Sequence, residues 1–542
     1  TSQAMRIYRA YGDSAIAVVR ANPYRLAADI WGIGFQSADK IARAIGIAPD
    51  SLARAQAGLV YTLQTLTEEG HCYCPRDDLR ERAGQLLDIP AAVLDAALAL
   101  ELERGALVAE DAAVYLEPLY RAETGAAAHL RRLLEAPPGW RPADIGRAID
   151  WAAGRLRLAF APGQARALSL ALSEKACLVT GGPGVGKTTI IRALVDIFAA
   201  KSLRVCLAAP TGRAAKRLEE ATGRPAMTLH RLLKFTPATG RFEHSPANPL
   251  AGDVFILDEV SMIDIVLMNQ FLAALPSAAR LVLVGDPDQL PSVGPGNVLR
   301  DCLESGALPA AALTEIFRQG ARSWIVHNAH RVNTGLFLEA PPAGELSDFF
   351  FVEHQDPESI VRAAVELVTR RIPQRFGLNP RTDIQVLTPM RRFQLGADNL
   401  NVVLQEALNS AGDALARYGR LYRAGDRVMQ LRNNYDKDVY NGDIGFVSAL
   451  DPEAQTLEVE FDGRRVAYEA HELDELSLAY ASTIHKAQGS EHPAVVVLMA
   501  TQHYALLQRN LLYTALTRGR RLVCLVGSAK AVALAIGNNR TI

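Results

Sequence analysis

The chain has 542 residues, 58 Lys and Arg against 59 Asp and Glu, and 49% hydrophobic residues. That balance describes a globular protein of about three to five domains. No run of about 18 apolar residues appears, so no membrane span is expected, and no signal peptide is visible. The six cysteines are scattered, and Cys72-Tyr73-Cys74 fits no common zinc spacing, so reduced thiols in a cytoplasmic protein are expected. A net charge of −1 says little about local patches. Arginines cluster at Arg213/Lys216/Arg217, Arg391/Arg392, Arg417/Arg420/Arg423/Arg427 and Arg518/Arg520/Arg521; each cluster alone also reads as a solvated face. The chain opens on Thr1, and Met5-Arg6-Ile7 reads as mid-domain sequence, so a preceding N-terminal piece is expected.

Residues 1–71 are helical by period. Within them, Ile30-Trp31-Gly32-Ile33-Gly34-Phe35-Gln36-Ser37-Ala38-Asp39-Lys40-Ile41-Ala42 predicts a helix end, a Gly-x-Gly corner, and a second helix whose Ala38 and Ile41 pack back. The stretch resembles a helix-hairpin-helix, a motif that grips DNA phosphates through backbone N–H groups without reading sequence. The alternative is a hairpin of helices that serves packing alone. Residues 72–155 predict short helices followed by strands near 105–109 and 113–116, an order that resembles a winged helix and carries no catalytic constellation. Pro137-Pro138-Gly139 marks a boundary.

A first α/β domain is expected over 156–309, built around Cys177-Leu178-Val179-Thr180-Gly181-Gly182-Pro183-Gly184-Val185-Gly186-Lys187-Thr188-Thr189. Gly181, Gly186, Lys187 and Thr188 meet G-x-x-x-x-G-K-[ST]. Glycines let successive N–H groups converge on an anion, and the helix that follows aims its positive end at the same point. Lys187 then reaches the β/γ-phosphates and Thr188 ligates Mg²⁺. One helix upstream, Gln164 has an amide suited to an adenine edge. A buried strand at 204–209 ends in Pro210-Thr211-Gly212-Arg213, and parallel strands carry ligands at that end. Thr228-Leu229-His230-Arg231-Leu232 precedes a β-hairpin insert over 234–247, either a wedge at a duplex junction or an ordinary surface hairpin. The apolar strand 254–257 delivers Asp258, for Mg²⁺, and Glu259, for the attacking water. The next strand leads to Gly285-Asp286-Pro287-Asp288-Gln289, with Gln289 a candidate γ-phosphate sensor; Arg318 and Arg518 are candidate arginine fingers.

A second α/β pattern fills 310–542, with buried strands at 383–388, 494–499 and 521–526. Between about 413 and 476 it gives way to short alternating strands with turns at Gly425-Asp426, Asn441-Gly442 and Asp462-Gly463, which predict an inserted SH3-like β-barrel. Arg432, Asn433, Asn434, Tyr435 and Tyr440 on it form an aromatic and basic surface for nucleic acid, or a solvated loop. Two more polar runs follow, 480–491 and 511–520.

Taken in order, these stretches resemble the motifs of superfamily 1 helicases: Gln164; Gly181 to Thr188; Pro210-Thr211; Asp258-Glu259; Gly285-Asp286 with Gln289; Arg318; Thr483 to Glu491; Tyr513 to Arg518. The helix-hairpin-helix start, Ala209-Pro210-Thr211-Gly212-Arg213-Ala214-Ala215 and the two inserts are most similar to the RecD-like branch (superfamily 1B). The resemblance implies an α/β fold with two RecA-like parallel-sheet motor domains. It implies an ATP- and Mg²⁺-dependent DNA helicase moving 5′ to 3′, acting in repair or recombination on single-stranded DNA and single-strand/duplex junctions. Lys187, Asp258, Glu259, Gln289, Arg318 and Arg518 would be catalytic, and Gly182, Pro183, Gly184, Val185, Gly186, Thr188, Thr189, Gly489 and Glu491 would bind nucleotide. Pro210, Thr211, His230, Thr388, Thr483 and His485 would line the strand. A monomer with protein partners at its N-terminal region is expected. An ATP-gated clamp that does not unwind, and an RNA helicase of the same superfamily, remain alternatives.

Overall fold

The computed structural model describes the chain apart from residues 1, 31–32, 138, 141, 238, 316–322, 343, 435 and 540–542. Arg318, the Trp31-Gly32 corner, Pro138 and Tyr435 therefore lie outside the described residues.

Two parallel sheets organise the molecule. The first runs, edge to edge, Ala310–Leu313, Ala176–Gly181, Arg280–Gly285, Val254–Leu257, Val205–Ala209 and Ala226–Thr228. Its central strands are apolar at nearly every position because helices cover both faces. The second runs Phe349–Glu353, Gly519–Gly527, His492–Met499, Ile384–Thr388 and Ala481–Thr483, also all parallel. The expected pair of RecA-like domains is therefore present. One boundary is corrected. Ala310–Leu313 belongs to the first sheet, not the second domain: it hydrogen-bonds alongside Leu178 to Gly181, with Leu313 and Ala311 buried. Its four small or apolar residues carry too little pattern to place it.

The SH3-like insert is an antiparallel sheet ordered Arg464–Tyr468, Thr456–Phe461, Ile444–Asp451, Arg427–Gln430, Leu476–Leu478, preceded by the hairpin Ala414–Arg417/Arg420–Arg423. It shares one apolar core with the second motor domain, from Ile384 and Val496 through Tyr422 to Val459 and Tyr468. The joint is sealed by Asp426, which is fully buried. Its carboxylate accepts from Gln405 Nε2 (2.5 Å), Asn409 Nδ2 (2.7 Å), Tyr480 Oη (2.8 Å) and the Arg423 N–H (2.7 Å). A buried carboxylate is tolerated only when its lone pairs are met in this way. The insert also touches the first domain, where Lys216 pairs with Asp462 and Arg231 donates to Tyr440 Oη.

In the N-terminal region, helices Arg25–Asp29 and Phe35–Ala44 pack on each other, with Leu26, Ile33, Ala38 and Ala42 buried. Strands Tyr73–Pro75, Leu107–Glu110 and Ala113–Leu116 form a small antiparallel sheet beside helices Arg76–Leu87 and Ala91–Glu103. One core runs from Tyr24 to Val114 across the expected 71/72 division. Helix Glu117–Glu135 then packs against Ile265–Ala274 of the first motor domain. Among the described residues, no single helix is long and apolar enough to cross a membrane.

Candidate active site

The glycine-rich loop forms because strand Ala176–Gly181 must turn sharply into helix Lys187–Ala199. Gly184 (φ 75°) and Gly186 (φ 87°) adopt left-handed backbone, which side chains resist. A Cβ on Gly186 would also lie 2.3 Å from Gln164 Nε2. The loop opens on a cavity of about 580 Å³ between the two motor domains, within the usual range for a small-molecule site. Gly182, Pro183, Gly184, Gly186, Lys187, Thr188 and Thr189 line one wall. Lys187 Nζ donates to the carbonyls of Gly181 (2.5 Å) and Gly182 (3.0 Å).

Asp258 and Glu259 leave the end of the buried strand Val254–Leu257 at the cavity floor. Asp258 Oδ1 accepts the Glu259 N–H at 2.9 Å. Burial and the adjacent Glu259 carboxylate push Asp258 up, against the pull of Lys187. Glu259 has φ 54°, and its Oε2 is buried without a hydrogen-bond partner. Two crowded carboxylates, one with an orphaned oxygen, stand beside a lysine and the exposed Thr188. Together they form the hard-oxygen donor set that suits Mg²⁺ and a water. The residues present therefore fit a magnesium nucleotide.

The far wall comes from the second domain. Arg518 is 2% exposed. Its Nη2 donates to Gln289 Oε1 (2.8 Å) and Thr517 Oγ1 (3.1 Å), its Nε to Thr514 O (3.1 Å) and its Nη1 to Ser490 O (3.3 Å). Gln289 Nε2 donates to buried Asp286 at 3.1 Å, and Tyr513 Oη donates to the same oxygen at 2.9 Å. Leu290 is held at both ends: its N–H donates to Thr514 Oγ1 and its carbonyl accepts from Gln488 Nε2, each at 2.9 Å. The loop after strand Arg280–Gly285 is thus stitched to the second domain through Asp286, Gln289 and Leu290. A Cβ on Gly182 would lie 2.9 Å from the Tyr513 hydroxyl, so that glycine lets the tyrosine reach the phosphate loop.

Some contacts have no counterpart in the sequence reading. Arg217 Nη2 pairs with Glu491 (2.8 Å), its Nη1 donates to Gly489 O (3.2 Å) and lies 4.0 Å from Glu259, while Arg520 Nε takes the other Glu491 oxygen at 2.8 Å. Arg217 and Arg520 both line the cavity. Arg213, four residues from Arg217 on helix Gly212–Thr222, donates to Ser490 Oγ at 2.8 Å. That i, i+4 spacing on one face is the available signal that the cluster is not a solvated face.

Other expected residues sit differently. Gln164 is buried, its amide committed to the protein: Oε1 accepts the Ala161 N–H (3.2 Å) and Nε2 donates to Val185 O (3.4 Å). It braces the phosphate loop and does not line the cavity. The Val185 side chain likewise packs into the core. Thr388 is fully buried and donates to Leu395 O at 2.6 Å, so it does not line a strand surface. His230 stands at the root of the hairpin, 5.7 and 5.9 Å from the rings of Phe235 and Phe242. Pro210, Thr211 and Thr483 are half-buried, and Thr211 Oγ1 caps helix Gly212–Thr222 through the Ala214 N–H. His485 is exposed at the rim of a cavity of about 210 Å³ shared with Gly70, Ser292 and Asn297.

Several stretches of the chain match known protein families. Residues 1–73 match the family profile of the ATP-dependent RecD2 DNA helicase HHH domain, 164–295 an AAA domain, 400–461 the ATP-dependent RecD-like DNA helicase SH3 domain, and 478–526 the UvrD-like helicase C-terminal domain. The chain is 36% identical over 554 aligned residues to the ATP-dependent RecD2 DNA helicase of Deinococcus radiodurans, covering 99% of this chain and 74% of that one. It is 34% identical to the RecBCD enzyme subunit RecD of Mycolicibacterium smegmatis, covering 85% and 87%. A solved structure of Pif1 helicase from Bacteroides, in complex with ADP-AlF3 and ssDNA, aligns at 19% identity and TM-score 0.44, covering 70% of this chain and 94% of that one.

Proposed function

The chain belongs to the RecD-like family of ATP-dependent DNA helicases, and from that premise we propose a motor that moves 5′ to 3′ on single-stranded DNA and parts the duplex ahead. The observation that carries the reading is the Arg518–Gln289 contact at 2.8 Å, which brings the second domain's arginine to the mouth of the first domain's phosphate loop. The polarity, and a role in repair or recombination, come from the family resemblance rather than from any one residue. We further assign the chain to the cytoplasm as a monomer, with the N-terminal region as its surface for protein partners.

In this reading the loop N–H groups and Lys187 bind the phosphates, Thr188 and Asp258 hold Mg²⁺, and Glu259 orients the attacking water. When bound, Mg²⁺ neutralises charge on the phosphate oxygens. Arg518, Gln289 and the Arg217–Glu491–Arg520 chain respond to the γ-phosphate by drawing the domains together. Pro210, Thr211, Thr483 and His485 face the strand, and closure shifts their grip. The ATP affinity difference between closed and open forms supplies the work. The hairpin Phe235–Thr236/Arg241–Phe242, braced by His230, serves as the wedge at the junction.

Strand displacement with Mg²⁺ and ATP on 5′-tailed and 3′-tailed duplexes tests this. Displacement from the 5′ tail alone is expected. Displacement from the 3′ tail alone overturns the polarity, and DNA-stimulated hydrolysis with no displacement overturns unwinding in favour of a clamp.

A further inference from the structure

The loop after strand Ile384–Thr388 of the second motor domain carries Phe393 in a conformation that folding does not favour. Its φ is 69°, in the left-handed region where a bulky side chain is an outlier. Burial does not compensate, because the residue is 76% exposed. Glycine would meet the local backbone requirement more easily, yet the position holds an aromatic ring facing water.

The loop is braced so that this conformation persists. Gly396 N–H donates to Phe393 O (2.9 Å), Ala397 N–H to Met390 O (3.0 Å) and Asp398 N–H to Arg391 O (3.0 Å). From below, Thr388 holds Leu395. A Cβ on Gly396 would fall 2.0 Å from Arg392 O, so the turn admits no other residue there. Arg391 Nε bonds both oxygens of Asp398, at 3.2 and 3.1 Å. The strained ring therefore stands on a pre-formed support, and strain kept by its surroundings points to a site.

Its neighbours indicate the ligand. Thr388 pairs in register with Thr483, and the Ile484 N–H donates to Thr388 O at 3.0 Å. The loops leaving these parallel strands thus emerge side by side at the carboxyl end of the sheet, where ligands bind. Arg391, Arg392, His485 and Lys486 are exposed around that edge. Although Lys486 keeps an exposed surface, desolvation by the groups packed around its ammonium, then Arg391 and Arg420, pulls it below its ordinary value, with Asp398 the opposing charge. Cations gathered on the two neighbouring loops, one of which also carries an exposed ring, match an unpaired nucleic-acid strand, whose phosphates meet the charges while a base meets the ring.

We propose that Phe393 is a base-stacking platform on the second motor domain, flanked by phosphate contacts from Arg392 and Lys486. The proposal rests on the helicase reading and adds to it a residue that no motif supplied. It is specific to stacking: the ring contributes area and a π-face, not charge.

The test is binding of fluorescent oligothymidylate to the full chain over a range of salt concentrations. Phe393→Ala and Phe393→Gly are expected to bind roughly 5- to 150-fold more weakly than the parent, with the slope of log affinity against log salt unchanged. Arg392→Ala is expected to reduce that slope by about 0.7, the value for one phosphate on a single strand. Phe393→Gly also relieves the backbone, so its melting temperature is expected to match or exceed the parent's while its affinity falls. A purely structural ring would give the opposite pair. Phe393→Trp is expected to restore affinity, and the fluorescence of the introduced indole to be quenched by the oligonucleotide. Parental affinity in both the Ala and Gly variants, or indole emission in Phe393→Trp indifferent to DNA, overturns the platform while leaving the helicase reading standing. Failure of the parent itself to bind would instead sink the helicase reading.

Discussion

Replacing Arg518 with alanine is expected to slow ATP hydrolysis by roughly 10³- to 10⁵-fold, the range that an arginine finger supplies to phosphoryl transfer. The guanidinium is buried and commits four of its five N–H donors to Gln289, Thr517, Thr514 and Ser490, so its plane is fixed before any charge develops in front of it. Catalysis by preorganised charge depends on that fixity. Truncation also removes support from Gln289, and through it from Asp286. Arg518→Lys therefore accompanies the alanine variant: it keeps charge and most of the volume but cannot reproduce the planar set of bonds. Both variants are expected to bind a fluorescent nucleotide within about tenfold of the parent, while single-turnover hydrolysis falls in both. Hydrolysis by the lysine variant at the parental rate would reduce Arg518 to a generic positive charge.

Glu259→Gln is expected to lower the hydrolysis rate by about 10²- to 10⁴-fold, the usual contribution of a positioned base, with nucleotide binding retained. The residue is held in left-handed backbone, and one of its side-chain oxygens is buried without a partner. A carboxylate left in that state is costly for folding and useful for holding a water. The amide keeps the shape but loses the basic oxygen, so the loss belongs to the chemical step. Rapid-quench hydrolysis measured beside equilibrium nucleotide binding separates the two. A parallel loss of both would assign Glu259 to binding, through Arg217 and the neighbouring Asp258, rather than to the water.

What the sequence discloses and what it withholds divide along one physical line. Elements specified locally are legible. The phosphate loop needs glycines at fixed offsets, Asp258 follows a four-residue apolar strand, and the barrel announces itself by alternation between turns. Partners distant in sequence are not legible. Gln289 and Arg518 meet across 229 residues, and Arg213 and Ser490 across 277; nothing at either end names the other. The pattern assigns Ala310–Leu313 to the wrong domain because a four-residue edge strand of alanines and one leucine carries no period. Thr388 has the chemistry of a surface contact, but it ends a fully buried strand and turns inward to hold the loop that presents Phe393. Gln164 has the right chemistry for a base edge, yet the tight phosphate loop and its own helix start claim both of its polar atoms. In each miss the residue type is informative, and the packing decides where it points.

In this motor, closing the cleft and gripping the strand are one event. The direct test is the affinity of the chain for single-stranded DNA, measured by fluorescence anisotropy at fixed salt with and without a non-hydrolysable ATP analogue. Coupling between such sites typically amounts to about 1–3 kcal/mol, a shift of roughly 5- to 150-fold. A change in that range is expected, abolished by Arg518→Ala. DNA affinity that ignores the analogue, in a chain that binds both, would contradict it.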